Sequence, residues 1–525
     1  MATRANQVAA QIMHRPLYFG SQSTCLSSTL AASFLVAATA LGLLLTSNRF
    51  AHWFLIPIGI CGVLIGADGI EWLRGRLDLY DPIGIIGLFG FHFFFLAPLF
   101  HVGWDLWMGG VAPPPDWRDW FGYMGILNAT GLFFYRICRQ IFAVKLGPRL
   151  LPWYLDKAKS RLVLPVCVVI SVAAQAWFYA KVGGMVGYME ARMDRSPQSG
   201  FEGMGWFFTI SESAPILVAF LVIVYAQGRK ISWSGITGAL LILFALQIYF
   251  GGLRGSRSET SQLVFWVVGC IHFLIRPVPR RLIYAVSVFL IVFMYFYGFY
   301  KDLGKDAFNA LSSSEERAQI EQKTGRTAEA LALGDLGRAD VQAFVLYKLT
   351  RDGRDFIYAK GRTYIGALSL WLPRWILRDR PETKLKEGTD IQAGGGAYAP
   401  DAASSRVYGL AGESMLNFGA PSVPFAYALF GLLVGWFRNG VSRLAPGDAR
   451  FLLVPYGVYC CLSTLGSDSD NLAFGLAKNL SIPLLVVAAC SARGKCFGAS
   501  SENCECDDFL PLLEKPAPGQ TFVQK

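Results

Sequence analysis

Apolar runs of bilayer length recur along the chain, and no other feature limits its fold as much. A helix rises about 1.5 Å per residue, so about 20 apolar residues are needed to cross the hydrocarbon core. Such runs begin at Ser28 and recur as far as Cys490. Inside lipid no water receives backbone hydrogen bonds, which leaves only helices and closed barrels as spanning structures. The runs are continuous and do not alternate every second residue, which excludes the outer-membrane barrel. Charged residues make up 16% of the chain, well below the soluble norm of about 25%. The expected fold class is all-α, a polytopic helical membrane protein in contact with the lipid bilayer.

About twelve spans can be marked out. They are Ser28–Leu45, Phe54–Ala67, Ile83–His101, Trp120–Tyr135, Leu162–Tyr179, Trp206–Ala226, Ile236–Phe250, Leu263–Ile275, Leu282–Tyr300, Ser414–Phe437, Phe451–Leu465 and Leu472–Cys490. The chain then divides into a leader (1–27), nine helices (28–300), a large external loop (301–412), three helices (413–490) and a tail (491–525). The leader lacks a small-residue cleavage site ahead of the first apolar run, so that run is read as a retained helix.

Charge orients the stack. Arg136, Arg139, Lys145, Arg149, Lys157, Lys159 and Arg161 crowd the connection after the fourth span. Arg229 and Lys230 follow the sixth, Arg276, Arg280 and Arg281 the eighth, Arg438, Arg443 and Arg450 the tenth, and Arg493 and Lys495 the twelfth. Lys and Arg collect on cytoplasmic loops, so these connections and both termini are expected to be cytoplasmic. The opposite connections carry Asp105, Asp116, Asp119, Glu190, Asp194, Glu202, Asp468 and Asp470. Most of the net charge of +11 therefore has a topological origin, the outward-loop arginines apart, and no nucleic-acid partner is expected. Of 11 cysteines, only Cys496, Cys504 and Cys506 lie outside the apolar regions, in the tail, without the second ligand pair that zinc spacing requires. No metal and no cofactor is expected.

Two outward segments break this pattern. GGLRGSRSE, Gly251–Glu259, carries Arg254 and Arg257, three apart and on one side of a helical turn. The loop of 301–412 carries well over a dozen Lys and Arg, including Arg362, Arg374, Arg378, Arg380, Lys384 and Arg406. Guanidinium groups fork onto phosphate oxygens and stay charged at any working pH. These cations either hold an anionic lipid pyrophosphate or meet phospholipid headgroups and local carboxylates. Within the loop, Ser-Ser-Ser-Glu-Glu suits a helix N-terminus. Arg338–Leu349 carries an apolar stripe suited to the outer face. Tyr364–Ile376 is too short to span and reads as re-entrant or interfacial. Gly394–Gly396 reads as a hinge or lid.

The loop returns to the membrane at Glu413, where the tenth span begins. A carboxylate there either accepts a proton in catalysis or caps the helix N-terminus. Asn417 lies one turn on, placed to meet a sugar or a neighbouring helix. Lys478, inside the last span, is a functional candidate unless it snorkels or pairs with Asp470. His92 and His101 in the third span are expected to be packing residues.

Three segments resemble the bacterial oligosaccharide repeat-unit polymerases, the Wzy-type O-antigen and exopolysaccharide polymerases. They are GGLRGSRSE; GRTYIGALSLWLPRWILRDRP, similar to the family's Gly-x-x-Tyr and Pro-Arg run; and GESMLNFGAPSVPFAYALFGLLVG, similar to its Gly-Glu-x-x-x-Asn-Phe-Gly and glycine-rich span. The chain departs from the family's Trp-Pro-Lys-Pro at Leu377-Arg378-Asp379-Arg380-Pro381, which keeps the second basic position as Arg380. The resemblance implies a metal-independent membrane glycosyltransferase with a GT-C-like architecture in the bacterial inner membrane. Its substrate would be an undecaprenyl-pyrophosphate-linked oligosaccharide, and its protein partners a flippase and a chain-length regulator. It implies that Arg254, Arg257, Arg374 and Arg380 hold the pyrophosphate and that Glu413, with Asn417 beside it, positions or deprotonates the acceptor. Arg362, Arg378, Lys384 and Arg406 complete the expected substrate site. A ligase that passes glycan to another acceptor would share these residues. A transporter of anionic glycolipids would instead line a central cavity with charge and show inverted repeats, and no repeat is seen here.

Overall fold

The computed structural model describes residues 25–107, 112–142, 150–187, 205–229, 231–254, 257–303, 313–351, 356–372, 376–399 and 406–493. The chain is a bundle of helices. In order they are α1 Leu26–Thr46, α2 Leu55–Leu73, α3 Pro82–Trp104, α4 Trp117–Gln140, α5 Lys157–Lys181, α6 Gly205–Ala226, α7 Trp233–Phe250, α8 Arg257–Leu274 and α9 Arg280–Leu303. Four short helices follow: α10 Ser314–Thr324, α11 Ala339–Arg351, α12 Arg362–Ser369 and α13 Leu385–Ala393. The last four are α14 Gly409–Phe418, α15 Val423–Ser442, α16 Val454–Gly466 and α17 Ser469–Cys490. Among the described residues, nine helices are long and apolar enough to cross a membrane. The segments expected at Trp120–Tyr135, Leu263–Ile275 and Phe451–Leu465 are helical as well but are not among those nine.

Local signals start these helices where the sequence suggests. Ser313 accepts from the Glu316 N–H at 3.0 Å and caps α10, as the Ser-Ser-Ser-Glu-Glu run predicts. Asp156 caps α5 through Ala158 and Lys159. The connections after α2, α6 and α8 meet at one end of the bundle, where Arg280 donates to the Leu77 carbonyl and Arg276 to that of Ile231. Those after α4, α15 and α17 also meet. Leu150 N–H donates to Arg443, and Trp153–Leu155 pairs antiparallel with Ser491–Arg493. At the other end Arg49 pairs with Asp105 at 3.5 Å, and Tyr300 donates to the Leu253 carbonyl.

Close packing of α4 on α15 is built on glycine. A Cβ at Gly431 would stand 2.5 Å from the Tyr135 carbonyl oxygen, and one at Gly435 2.4 Å from that of Arg139. The Gly-x-x-x-Gly spacing thus lets two backbones touch without a side chain between them.

Several expectations change. Arg139 and Arg438 read as loop cations, yet both are buried and bidentately paired. Arg139 meets Asp68 at 2.6 and 2.9 Å, and Arg438 meets Asp81. The α11 stripe does not lie on an outer face. Every residue from Ala339 to Leu346 is buried, because α11 is wedged between α4 and α14. The tenth span does not run on from Glu413. α14 ends at Gly419, whose φ of 81° is open to glycine, and Pro421 and Pro424 restart the chain as α15. The leader over 1–24, the tail cysteines, Lys145, Arg149, Lys230, Glu190, Asp194 and Glu202 lie outside the described residues.

Removing one partner of a buried ion pair strands the other charge, at a cost of about 3–5 kcal/mol. Asp68→Ala is therefore expected to lower the melting temperature of the detergent-purified protein. Asp68→Leu with Arg139→Met, which removes both charges, is expected to recover most of it.

Candidate active site

α14 is buried along almost its whole length, and Glu413 projects from its middle into a junction of three elements. One Glu413 carboxylate oxygen accepts from Thr363 Oγ1 of α12 at 2.9 Å and from Ser469 Oγ at 2.5 Å. The other accepts from the Ser469 backbone N–H at 2.6 Å. Ser469 is the first residue of α17, whose opening N–H groups have no partner within their own helix. Glu413 therefore caps a helix, but α17 rather than its own. Asn417, one turn along α14, donates to Thr363 Oγ1 at 2.7 Å and accepts from the Gly361 N–H at 2.9 Å. Gly361, Thr363, Glu413 and Asn417 thus form one hydrogen-bonded knot.

A second carboxylate adjoins it. Asp468 stands at the N-cap of α17 yet does not cap that helix. It accepts from the Tyr408 N–H at 2.9 Å and the Gly409 N–H at 2.7 Å, and so fixes the start of α14. The buried Lys384 ammonium pairs with Asp468 and lies 3.2 Å from Asp470. Burial raises the pKa of Glu413, while the Ser469 and Thr363 donors pull it down and Asp470 pushes it up. Burial also raises Asp468, to about 7, with Lys384 opposing and the Glu413 charge adding to the rise. The Tyr364 phenol is raised as well, by burial and by these two carboxylates.

α13 carries the remaining polar groups across the top of this junction. Arg362 pairs with the buried Glu387, whose other oxygen has no partner among the described residues. Arg406 donates to Gln392 at 3.1 Å, and Gln392 to the Tyr408 hydroxyl at 2.5 Å. Arg257 pairs with Asp335. Burial lowers the pKa of the neighbouring Arg338, against the fields of Asp468, Asp335 and Asp340.

Of the residues expected from sequence, Glu413, Asn417, Arg362, Lys384 and Arg406 are therefore brought together, with Arg257 at the margin. Arg378 is exposed, and among the described residues Arg380 donates to the Leu372 carbonyl. Arg374 lies outside the described residues. Arg254 closes a single helical turn, Gly252–Arg254, and its side chain is outside them. The cations described are held by carboxylates or carbonyls, except Arg378, for which no partner is seen. Thr363, Ser469 and Glu387 were not singled out in the sequence. Thr363 sits inside the Gly-Arg-Thr-Tyr run, and Ser469 inside the Ser-Asp run ahead of the last span, a helix-start signal. Lys478 does not pair with Asp470. It meets Glu212 at 2.6 Å and also pairs with Glu259.

The junction can do two things chemically. A buried, oriented carboxylate can take a proton from a hydroxyl group. The ammonium and guanidinium groups around it can receive an anion that displaces their present carboxylate partners.

The raised pKa of Asp468 sets a pH dependence. Its ordinary value is 3.8 and its folded value about 7, so the folded state binds this proton more tightly than the unfolded chain does. The stabilisation is complete below the lower value and is lost as pH rises through the upper one. Melting temperatures of wild type and Asp468→Asn measured between pH 5 and 8 are expected to diverge, with wild type losing more stability as pH rises.

Compared with known protein families, curated proteins and solved structures, the chain matches none.

Proposed function

We propose that this multi-pass membrane protein is a polysaccharide polymerase, a glycosyltransferase that joins undecaprenyl-pyrophosphate-linked oligosaccharide repeat units at the outer face of a bacterial cytoplasmic membrane. One observation carries the reading. The Gly-Arg-Thr-Tyr segment and the Gly-Glu-x-x-x-Asn segment meet through three hydrogen bonds, Thr363 to Glu413, Asn417 to Thr363 and the Gly361 N–H to Asn417, with Lys384 and Arg362 alongside. In this reading all twelve helical segments cross the bilayer in a GT-C-like arrangement. The alternation of their connections between two ends supports that count and a cytoplasmic location for both termini.

The reaction breaks the bond between the donor sugar C1 and the pyrophosphate oxygen. It forms a bond from the acceptor hydroxyl oxygen to that C1. The hydroxyl proton passes to Glu413, and the electron pair leaves with undecaprenyl pyrophosphate. Lys384, Arg362 and Arg406 hold the charge that grows on the leaving oxygen. Arg257, Arg254, Arg374, Arg378 and Arg380 extend the same field along the path of the lipid pyrophosphate. A flippase supplies the outward-facing units, and a chain-length regulator sets where the polymer stops. A transporter reading has one observation in its favour, the charged group of Glu212, Glu259 and Lys478 inside the helices.

Glycan length profiles separate these readings. Cells lacking the protein are expected to carry single repeat units, and wild type to restore long chains. Glu413→Gln and Lys384→Ala, at wild-type protein levels, are expected to reduce long chains at least about a hundredfold. Long chains with Glu413→Gln would remove the base role. Unattached long chains in the deletion would identify a ligase, and loss of outward repeat units a transporter.

A further inference from the structure

A strongly basic corner lies at the end of the bundle where the connections after α2 and α8 meet. α2 closes at Leu73, and Arg74 and Arg76 follow with Gly75 between them. Both guanidinium groups converge on one neutral oxygen. Arg74 Nη1 donates to Ser27 Oγ at 3.2 Å and to Ser28 Oγ at 3.0 Å, and Arg76 Nη1 donates to the same Ser27 Oγ at 3.3 Å. Arg280, the first residue of α9, joins them. Its guanidinium lies over the Trp72 ring, 5.4 Å from the centroid, and donates to the Leu77 carbonyl at 3.0 Å. It also abuts Gly75, where a Cβ would stand 3.1 Å from its Nη1.

Like charges gathered in this way repel one another, and the acidic groups nearby are engaged elsewhere. Glu71 accepts from the Cys25 N–H at 3.2 Å and from Arg76 at 3.3 Å. Asp78 accepts from the Tyr80 N–H at 2.9 Å and lies 3.3 Å from His272 Nε2. It feels the Arg280 charge but forms no ion pair with it among the described residues. Asp81, further in, holds Arg438. The Cys25 thiol stands beside Arg76 and accepts from Ser27 Oγ at 3.3 Å. Among the described residues, Arg74 and Arg280 therefore have only hydroxyl and carbonyl partners, and the buried Arg280 Nε has none. The preceding segment, 1–24, contains Arg4, His14 and Arg15 but no Asp or Glu.

The same corner is the rim of an apolar surface. α1, α2 and α9 are all long and apolar enough to cross a membrane, and each begins or ends here. Leu26 and Leu30 of α1, Leu73 of α2, and Tyr284 and Val288 of α9 are exposed within about two turns of it. Tyr284, whose ring meets Trp72 edge-on at 6.2 Å, is an aromatic of the kind that sits at headgroup level. A molecule with a phosphate for the guanidinium groups and acyl chains for the apolar faces matches both halves of the corner. A soluble phosphate matches only the first.

We propose that Arg74, Arg76 and Arg280 bind the phosphate of one anionic phospholipid, whose acyl chains lie against the exposed apolar residues beside them. The lipid bridges the ends of α1, α2 and α9, and so fastens α1, which packs chiefly on α2, to the rest of the bundle. The site shares no residue with the Glu413 junction and does not depend on the glycosyltransferase reading.

The test uses the full chain purified in detergent and titrated with phosphatidylglycerol, with bound lipids counted by native mass spectrometry. One phosphatidylglycerol per chain is expected to bind at least about tenfold more tightly than phosphatidylcholine of the same acyl chains, which carries no net charge. Arg74→Gln and Arg280→Gln are each expected to weaken that binding at least about fivefold. Arg229→Gln, at an exposed arginine of the same end, is expected to leave it unchanged. Equal binding of the two lipids would remove charge recognition, and an equal loss with Arg229→Gln would show diffuse attraction. Either result would overturn the proposal. So would displacement of the lipid by inorganic phosphate at the same concentration, or lipid binding that appears only when residues 494–525, with their acidic side chains, are deleted. Arg74 is exposed, so Arg74→Gln decides the outcome should Arg280→Gln fail to fold.

Discussion

Glu413 is buried with its charge facing the first turn of another helix, and much of that end of the bundle is arranged around the contact. An isolated carboxylate in a low-dielectric interior is unfavourable. The Ser469 N–H and hydroxyl answer it with the dipole of a long helix, and Thr363 adds a third donor. To deliver these donors, α12 must fold back beside α14, and α17 must start at the same level. Asp468 then ties the beginning of α14 to the same turn through two backbone N–H groups. Moving any one of these segments would leave the others with unmet polar groups.

The same economy recurs lower in the bundle. Arg139 with Asp68 and Arg438 with Asp81 each link helices far apart in sequence through a two-pronged contact. A guanidinium is suited to this because its planar fork can satisfy two carboxylate oxygens at once. Around Glu413 the pairs involve a buried lysine, Lys384 with Asp468, and a partly exposed arginine, Arg362 with Glu387.

Much of the architecture was legible in the sequence, because a bilayer imposes length and polarity on every crossing segment. All twelve apolar segments are helical, and the basic connections do gather in groups at one end. The meeting of Glu413 with Asn417 and the loop cations was also within reach, through the two motifs that carry them. What the sequence hid were pairings set by tertiary contact. Nothing local distinguishes Arg139, buried against Asp68, from Arg136 one turn earlier. The α11 stripe looked one-sided because Gln342 and Asp340 are polar, yet Gln342 donates to the Tyr408 carbonyl and both are buried. The break at Gly419 was masked by apolar residues on both sides, although Gly-Ala-Pro is a helix-stopping sequence.

That break has a consequence for how the protein is made. α14 has ten residues, too few to enter a bilayer alone, and it is enclosed by protein. Gly419 separates it from α15, so the insertion of α15 does not carry it into place as part of one rod. Two of the three donors to its carboxylate come from Ser469, 56 residues further on. During synthesis, α14 must therefore wait at the surface while α15, α16 and the start of α17 leave the ribosome. The Glu413 junction is completed last, and a chain cut short before its final helix lacks the Ser469 donors that close it.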